Sequence, residues 1–359
     1  MEYYLFVTNE CNLGCAYCSV LIDCQKHNLP LEPTYSVKTL KKFIDATQIS
    51  KNSDVADVVF FGGEPTLNLP FIQKVMDGLG KGNNNYTIRY MLHTNGLLLS
   101  KIPITILDRI DTIMLSVNYT EIPQHNLNQG YFQTIVTGIR YVKNIKSLPI
   151  IGRFTITENT SLFSSVSLMH HFFDYVYWQI ENCSAFDNFN EFSASYKFDL
   201  QNLLNMWHSF LKKGVKLNFI PFLACINFIV DNTSPIAFNC GYNESMVYIQ
   251  TDGSCYTCCE DITSNLNVVG HIEKELSFAE FSLNDTICQS CEYISICLGR
   301  CGRMHKDFPA ERIKEYCALN KTLFDYIIEN KLEILRICEE KELNIGLDEK
   351  VALYTEYTP

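Results

Sequence analysis

Over its first 210 residues the chain alternates short β-rich runs with amphipathic stretches of helical period. Each predicted strand is nearly continuous in hydrophobicity and rich in Val, Ile, Phe or Tyr, which is typical of parallel strands covered on both faces. Ser36 is the predicted N-cap of one intervening helix, and residues 131–145 form another. Six such repeats predict an α/β fold with a partial (β/α)6 TIM-like barrel and right-handed crossovers. The predicted strands are 4–8, 57–61, 87–92, 111–117, 150–156 and 175–180.

The composition indicates a soluble globular protein, since 47% of the 359 residues are hydrophobic and 19% are charged. This length suffices for one barrel domain and a smaller module. The formal net charge of −11 argues against a nucleic-acid partner held by a general basic surface. No apolar run approaches the roughly 18 residues of a membrane span, and the first residues lack the basic start of a signal peptide. We therefore expect a cytoplasmic protein with neither a nucleic-acid nor a membrane partner.

The cysteines are unevenly distributed, with five before residue 200 and eleven after it. In a reducing compartment such clusters are more often metal-binding or catalytic than disulfide-bonded. From 231 to 317 Gly, Asn, Ser and Cys dominate, so the core there is expected to be too thin to fold without metals. A helical period returns from about residue 318. The chain is thus predicted to contain a barrel, a bridging region, a cysteine-rich domain and a helical tail, at 1–210, 211–239, 240–320 and 321–359.

Three cysteines, Cys11, Cys15 and Cys18, directly follow the first predicted strand. In α/β barrels the chemistry lies at the carboxyl ends of the strands, and other unusual motifs of this chain follow those ends too. GGEP (62–65) comes after the second predicted strand and HTNG (93–96) after the third. Three soft thiolates in one loop indicate a zinc or iron–sulfur centre.

Two metal centres fit this spacing. A zinc site would take Cys24 or His27 as its fourth ligand. The C-x3-C-x2-C pattern, taken together with GGEP and TNG, resembles the radical SAM superfamily. That resemblance implies a [4Fe–4S] cluster held by the three cysteines, with the fourth iron left for the amino and carboxylate groups of S-adenosylmethionine (SAM). Cys24 is then predicted not to be a ligand.

The same resemblance implies SAM contacts from residues at the strand ends. The two glycines of GGEP would let the backbone approach the ligand closely, and Glu64 would offer a carboxylate or a backbone contact to the SAM ammonium. Asn95 would help to place the cofactor. Arg153, a charge within an apolar strand, would pair with the SAM carboxylate or with a buried Glu or Asp. The implied contacts are Tyr17, Gly62, Gly63, Glu64, Pro65, Asn95, Ser116 and Arg153.

The later cysteines resemble the SPASM extension found in the same superfamily. Cys240 is followed by twelve residues, Gly253, four residues and Cys258, and the stretch 288–301 supplies four more cysteines. The resemblance implies two auxiliary [4Fe–4S] clusters, which makes three clusters in all. The ligands of the outer cluster would be Cys288, Cys291, Cys297 and Cys317. The ligands of the inner cluster would be Cys240, Cys258 and Cys301, with Cys225 favoured as the fourth.

Alternatives remain for these later cysteines. Cys255 or Cys259 could complete the inner cluster in place of Cys225, or an open iron could accept a substrate thiolate. A different interpretation is a pair of zinc sites that only hold a small domain together.

What the resemblance implies about activity is reductive cleavage of SAM to a 5′-deoxyadenosyl radical, which abstracts hydrogen from an unactivated C–H bond. SPASM enzymes act largely on peptides and proteins. We therefore predict a maturase that gives a ribosomally made precursor peptide a thioether or other crosslink, or an epimerised residue. Flavodoxin or ferredoxin is the kind of electron donor expected. Because the first strand begins at about residue 4, the barrel mouth, the region 181–235 or a separate leader-binding protein would capture the precursor.

Two other functions stay open. An anaerobic sulfatase-maturating enzyme would carry an Asp base directly after the inner-cluster cysteine, where this chain has Cys259. Glu260 or Asp261 could stand in for that base. The second alternative is a non-enzymatic iron–sulfur electron carrier or a zinc-stapled binding protein, although neither needs GGEP, TNG and Arg153 around a three-cysteine site.

Overall fold

The structure is a computed structural model. It describes residues 1–15, 17–18, 20, 27–117, 128–181, 185–231, 238, 240–263, 268–278, 281–346, 351 and 358–359. Cys24, which we predict not to bind a metal, and Cys183 lie outside the described residues.

The fold is mixed α/β, as predicted, and each of the six predicted strands is present. The strands are β1 Glu2–Thr8, β2 Val55–Gly62, β3 Thr87–Thr94, β4 Thr112–Ser116, β5 Ile150–Ile156, β6 Tyr175–Ile180, β7 Met246–Ile249, β8 Ser254–Tyr256 and β9 Val268–His271. The helices are α1 Val37–Lys51, α2 Leu69–Leu79, α3 Ile104–Leu107, α4 Asn128–Ile145, α5 Leu162–Met169, α6 Phe189–Lys212, α7 Ile220–Asp231, α8 Ile294–Cys297, α9 Gly302–Asp307 and α10 Ala310–Glu340. No helix within the described ranges is both long and apolar enough to cross a membrane.

The first of two compact units contains residues 1–117, 122–150 and 242–280. Its strands lie in the order β4-β3-β2-β1-β7-β8-β9. The pairs among β1, β2, β3, β4 and β7 are parallel, whereas β8 pairs antiparallel with both β7 and β9. Parallel strands with intervening helices place their carboxyl ends at one edge of the sheet, which is where the predicted motifs begin.

The two faces of this sheet differ in what covers them. Tyr3 of β1 packs edge-on against Phe43 of α1, so the helices cover this face. Successive side chains of a strand point to opposite faces, and Phe6 therefore lies on the other one. There its ring packs edge-on against Phe61, with centroids 5.2 Å apart, and Phe61 packs against Tyr248 of β7. An aromatic layer thus fills the face that does not carry α1.

Local sequence explains the best-predicted helix. The Ser36 hydroxyl accepts a hydrogen bond from the Thr39 amide at 3.0 Å, which makes Ser36 the N-cap of α1 as predicted. The helix ends at Asn52, whose φ of 49° lies in the left-handed region that Asn tolerates better than most residues.

The second unit contains residues 151–241 and 281–359. Its strands β5 and β6 are parallel, with Arg153 opposite Tyr177. Around them pack α5, α6 and α7, with α10 lying along α6 and α7. The core is strongly aromatic: Phe222 contacts both Trp178 and Trp207, and all three are fully buried. The Trp207 indole nitrogen donates to the Leu217 carbonyl, so its buried polar group is satisfied.

The compact units do not follow the four predicted segments. Helix α6 continues past residue 210, and α10 runs through the predicted boundary at 320. The final helix also begins at residue 310 rather than near 318, because buried Ile313 and Tyr316 already belong to its packed face. Cys317 therefore lies inside a helix of 31 residues.

Candidate active site

Cys11, Cys15 and Cys18 lie in the loop after β1, and all three are partly exposed. The Cys18 amide donates to the Cys15 carbonyl at 3.1 Å, and the Leu13 amide lies 3.4 Å from the Cys11 sulfur. Burial raises the pKa of the Cys11 thiol, and the nearby Glu64 and Cys18 raise it further, against the Leu13 amide. A bound metal would lower that pKa, so this loop favours thiolates only with a cation present.

The two glycines of GGEP bring the loop after β2 against the backbone that leads into the cysteines. The Gly63 amide donates to the Thr8 carbonyl at 2.9 Å, and the Glu64 amide donates to the Glu10 carbonyl at 2.7 Å. A Cβ on Gly63 would lie 2.2 Å from the Glu10 oxygen, and one on Gly62 would lie 2.3 Å from the Thr8 oxygen. The close approach that glycine permits here is therefore to backbone, whereas we expected an approach to the ligand.

Glu64 is 1% exposed, and its carboxylate accepts four hydrogen bonds. Oε1 accepts from the Thr66 amide at 3.0 Å, the Thr66 hydroxyl at 2.5 Å and the Thr94 hydroxyl at 2.6 Å. Oε2 accepts from the Asn95 amide at 2.7 Å. The carboxylate thus ties the loops after β2 and β3 together, with Pro65 buried behind it. Both contacts expected from Glu64 to SAM, through the carboxylate or through the backbone, stay predictions.

Asn95 joins the loop after β3 to the cysteine loop. Its side-chain amide donates to the Asn12 side-chain oxygen at 2.8 Å, and its own oxygen accepts from the Leu97 amide at 3.1 Å. The side chain also reaches Cys11, where its hydrogen bond lowers the thiol pKa. Asn95 therefore positions the cysteines, which is a more specific role than we could assign from the sequence.

A histidine that we did not select accompanies Ser116. His93 Nε2 lies 2.9 Å from the Ser116 hydroxyl, and its ring centroid is 5.2 Å from that of Phe61. His93, Ser116 and Phe61 are each partly exposed, at or near the ends of three neighbouring strands. The signal was present in the sequence, since His93 opens the HTNG motif, but its partner depends on strand pairing.

A tyrosine from α4 completes this end of the first unit. Tyr131 is 4% exposed, and burial raises the pKa of its phenol. Cys15, Glu64 and Cys11 raise it further, which places the phenol beside the cysteine loop. Tyr17 is partly exposed overall, although its hydroxyl is shielded from solvent. Sequence alone gave no signal for Tyr131, because it lies far along the chain from the cysteines.

Arg153 lies in β5 of the second unit. Its guanidinium donates to the side-chain oxygen of Gln179 on the neighbouring β6. Gln179 is thus one partner of Arg153, and the expected pairing with a SAM carboxylate or with a buried Glu or Asp stays a prediction.

The predicted outer ligands lie together in the second unit. Burial raises the pKa of the Cys297 thiol, and Cys317, Cys288 and Cys291 raise it further. Three of these four cysteines line a cavity, which Cys301 of the predicted inner set lines as well. Its lining includes Cys288, Cys297, Cys317, Arg300, His305 and Asn320. Cysteine sulfurs beside N–H donors fit the predicted iron–sulfur cluster.

The described residues contain no three His, Cys, Asp or Glu side chains that converge as ligands of one metal ion. The four cysteines of a [4Fe–4S] cluster bind four different irons, so they are not required to meet at one point.

The predicted inner ligands are divided between the units. Cys258 belongs to the first unit, whereas Cys240, Cys301 and Cys225 belong to the second. Cys225 is buried in α7, and burial raises the pKa of its thiol. Their assembly into one cluster stays a prediction.

The residues around Cys258 are buried and make specific contacts. Cys255 is fully buried in β8, opposite Ile249. The Asp261 carboxylate is fully buried too and accepts from the Thr257 hydroxyl at 2.8 Å. This contact holds the turn in place and occupies the carboxylate considered as a substitute base.

Comparison with known proteins agrees with this geometry. Residues 5–156 match the family model of the Radical SAM superfamily. The radical SAM cyclopropyl synthase TigE of Paramaledivibacter caminithermalis is 26% identical, in a match that covers 92% of this chain and 75% of TigE. The structure of hexahistidine-tagged anSMEcpe with bound AdoMet superposes with a TM-score of 0.72 at 19% identity, covering 99% of this chain and 98% of that one.

A second solved structure, native anSMEcpe with bound AdoMet and Cp18Cys peptide, gives a TM-score of 0.70 at 19% identity. The match covers 94% of this chain and 99% of that one. These structural likenesses show the fold, and the family match adds a [4Fe–4S] cluster and SAM as cofactors. The chain therefore contains a radical SAM domain at residues 5–156, and it is an enzyme related to maturases such as TigE.

Proposed function

We propose that this enzyme is a peptide maturase that forms a carbon–carbon bond, another crosslink or an epimerised centre in a ribosomally made peptide. The observation that carries the proposal is the cysteine loop itself, in which three partly exposed thiols are fixed at the strand ends by Gly63, Glu64 and Asn95. When bound there, a [4Fe–4S] cluster and SAM supply a 5′-deoxyadenosyl radical that removes a hydrogen atom from the substrate.

The remaining residues of the site would bind and orient the cofactors. The backbone at 62–64 and Asn95 hold the loop rigidly, so that a cofactor on Cys11, Cys15 and Cys18 keeps one position. Tyr131 and the aromatic layer with Phe61 exclude water beside it. Ser116 and Arg153 are proposed SAM contacts, together with Tyr17, Pro65 and the glycines.

A peptide substrate is supported by the relatives. TigE is named a cyclopropyl synthase, and solved anSMEcpe structures contain bound peptides. Closing a carbon ring removes two hydrogens from the substrate. One leaves as a hydrogen atom to the radical, and the other leaves as a proton and an electron. Auxiliary clusters at the outer and inner cysteine sets would accept that electron, and flavodoxin or ferredoxin would supply the electron that starts the reaction.

Formylglycine formation in a sulfatase is the less favoured activity. Cys259 stands where its base is expected, and the Asp261 carboxylate is bound to Thr257. A sulfatase-derived peptide that is oxidised faster than any short peptide encoded beside this gene would reverse the preference.

The test is anaerobic reconstitution with iron and sulfide. We expect about twelve irons per chain if all three clusters form. We also expect 5′-deoxyadenosine only when dithionite and SAM are both present, and a peptide product that has lost two hydrogens or exchanged one with solvent. Stoichiometric zinc without SAM cleavage would overturn the proposal in favour of a binding protein. A reducible protein that never cleaves SAM would instead be an electron carrier.

A further inference from the structure

His305 of α9 is placed between a carbonyl and one predicted ligand of the outer cluster. Its Nε2 atom lies 3.0 Å from the Gly299 carbonyl oxygen and 3.5 Å from the Cys288 sulfur. Both distances are within hydrogen-bond range for an N–H donor, sulfur being the larger acceptor. His305 also lines the cavity that contains Cys288, Cys297 and Cys317.

The Gly299 carbonyl fixes which ring nitrogen carries the hydrogen. A carbonyl oxygen only accepts, so a hydrogen bond at 3.0 Å requires the hydrogen on Nε2. The Cys288 sulfur, at 3.5 Å from the same nitrogen, is then a second acceptor that shares this N–H with the Gly299 oxygen.

Aromatic packing holds the ring in this orientation. Phe238 lies against His305 with ring centroids 5.8 Å apart and planes inclined by 32°. Phe281 stacks on Phe238, with ring centroids 5.7 Å apart and planes inclined by 18°. This packing holds the plane of the His305 ring, and the Gly299 carbonyl keeps the Nε2 side of the ring directed toward it.

We infer that His305 is a positioning residue of the outer auxiliary cluster, which donates an N–H···S hydrogen bond to the Cys288 ligand and raises the reduction potential of that cluster. A hydrogen bond to a cluster sulfur stabilises the reduced, more negative state more than the oxidised one. This inference rests on the proposed function only in requiring a cluster at Cys288, Cys291, Cys297 and Cys317. It makes the outer cluster the better electron acceptor, whichever peptide is modified.

The test compares His305→Phe with His305→Gln in the reconstituted full chain. Phe keeps the ring packing on Phe238 and removes the donor, whereas the Gln side-chain amide can still donate. We expect His305→Phe to lower the ratio of reduced to oxidised outer cluster about tenfold at a fixed potential. This corresponds to a reduction potential lower by ~59 mV for a one-electron couple. His305→Gln should stay much closer to wild type. His170→Phe, a half-buried histidine bonded to Ser167, is the matched control and should leave the potential unchanged.

The potential is read from redox titrations followed by electron paramagnetic resonance, in a Cys15→Ala background that removes the signal of the first cluster. A full complement of auxiliary iron with an unshifted potential in His305→Phe would overturn the inference. A missing cluster at the outer cysteines in the unmodified chain would instead overturn the proposed function.

A second measurement covers the case in which His305→Phe loses iron. In the otherwise unmodified protein grown with ¹⁵N-histidine, the reduced outer cluster should show a magnetic coupling to histidine nitrogen. His305→Gln should abolish that coupling. No histidine coupling in the wild-type cluster would refute the N–H···S contact.

Discussion

The two best-defined cysteine sets of this enzyme are held in opposite ways. Cys11, Cys15 and Cys18 lie in one partly exposed loop, which neighbouring loops fix through backbone amides and carbonyls. The outer set is gathered from a loop, a short helix and the long helix α10, with Arg300 and His305 beside its sulfurs. A metal site with an open position can bind substrate or cofactor, whereas a closed one serves structure or electron transfer. On this difference we propose ligand binding for the first set and electron handling for the second.

Removing one cysteine from each set should separate these roles with the largest effect. If our proposal holds, Cys15→Ala should abolish SAM cleavage while the auxiliary clusters remain, because only the first loop would hold the iron that meets SAM. Cys288→Ala should lose the outer cluster and retain SAM cleavage without peptide. The measurements are iron content and 5′-deoxyadenosine release under dithionite. Cys338→Ala, a buried cysteine of α10 outside both patterns, is the control and should retain both.

SAM cleavage by Cys15→Ala at the wild-type rate would remove the distinction between the two sets. Equal loss of cleavage in Cys288→Ala would show instead that the outer site supports the first loop.

The buried carboxylate behind the first loop offers a more graded test. Glu64→Gln should lower the free energy of unfolding by about 2 kcal/mol, because an NH₂ group would face donors that now share a charged acceptor. Glu10→Gln makes the same chemical change at an exposed side chain of the same region and should stay within about 0.5 kcal/mol. Urea unfolding measures both. Similar values for the two variants would mean that Glu64 does not hold the loops together.

The smallest effect is expected from pH in the second unit. Burial lowers the pKa of His208, Lys212 lowers it further, and Glu333 opposes both. The unfolded chain, with a histidine pKa of about 6.5, therefore binds more protons than the folded one as the pH falls below that value. His208 thus contributes stability that is present above about pH 6.5 and is lost as the pH falls through its lower folded-state pKa.

Urea unfolding at pH 7 and at about pH 5.5 should show this loss in the wild type. His208→Gln should show a smaller one, since glutamine can keep the contact with Tyr326 but does not titrate. Parallel pH dependences in the two proteins would contradict the assignment.

Much of the fold follows from the sequence because parallel strands and amphipathic helices leave local periodic patterns. All six predicted strands and the Ser36 cap are present for that reason. The start of α10 was predicted eight residues too late, since the cysteine-rich stretch before it masks the period of Ile313 and Tyr316. The ligand roles of the cysteines stay predictions from spacing.

Contacts between distant residues could not be predicted in this way. The hydrogen bond between His93 and Ser116 depends on neighbouring strands, and that between His305 and Cys288 on how α9 packs. The use of Glu64 as a buried acceptor depends on Thr94 and Asn95, which reach it from the end of the neighbouring strand β3. No local sequence pattern encodes such contacts, so only the three-dimensional structure reveals them.

The pairing of β1 with β7 has a consequence for how the chain is made. Glu2 lies opposite Met246, so the ribosome must complete about two thirds of the protein before β1 gains its second neighbour. Contacts this far apart in sequence form slowly. Until then β1 is an edge strand with unpaired amides and carbonyls, ready to pair with another chain. A fragment ending near residue 210 would keep that edge permanently, and aggregation rather than a free-standing barrel is its expected fate.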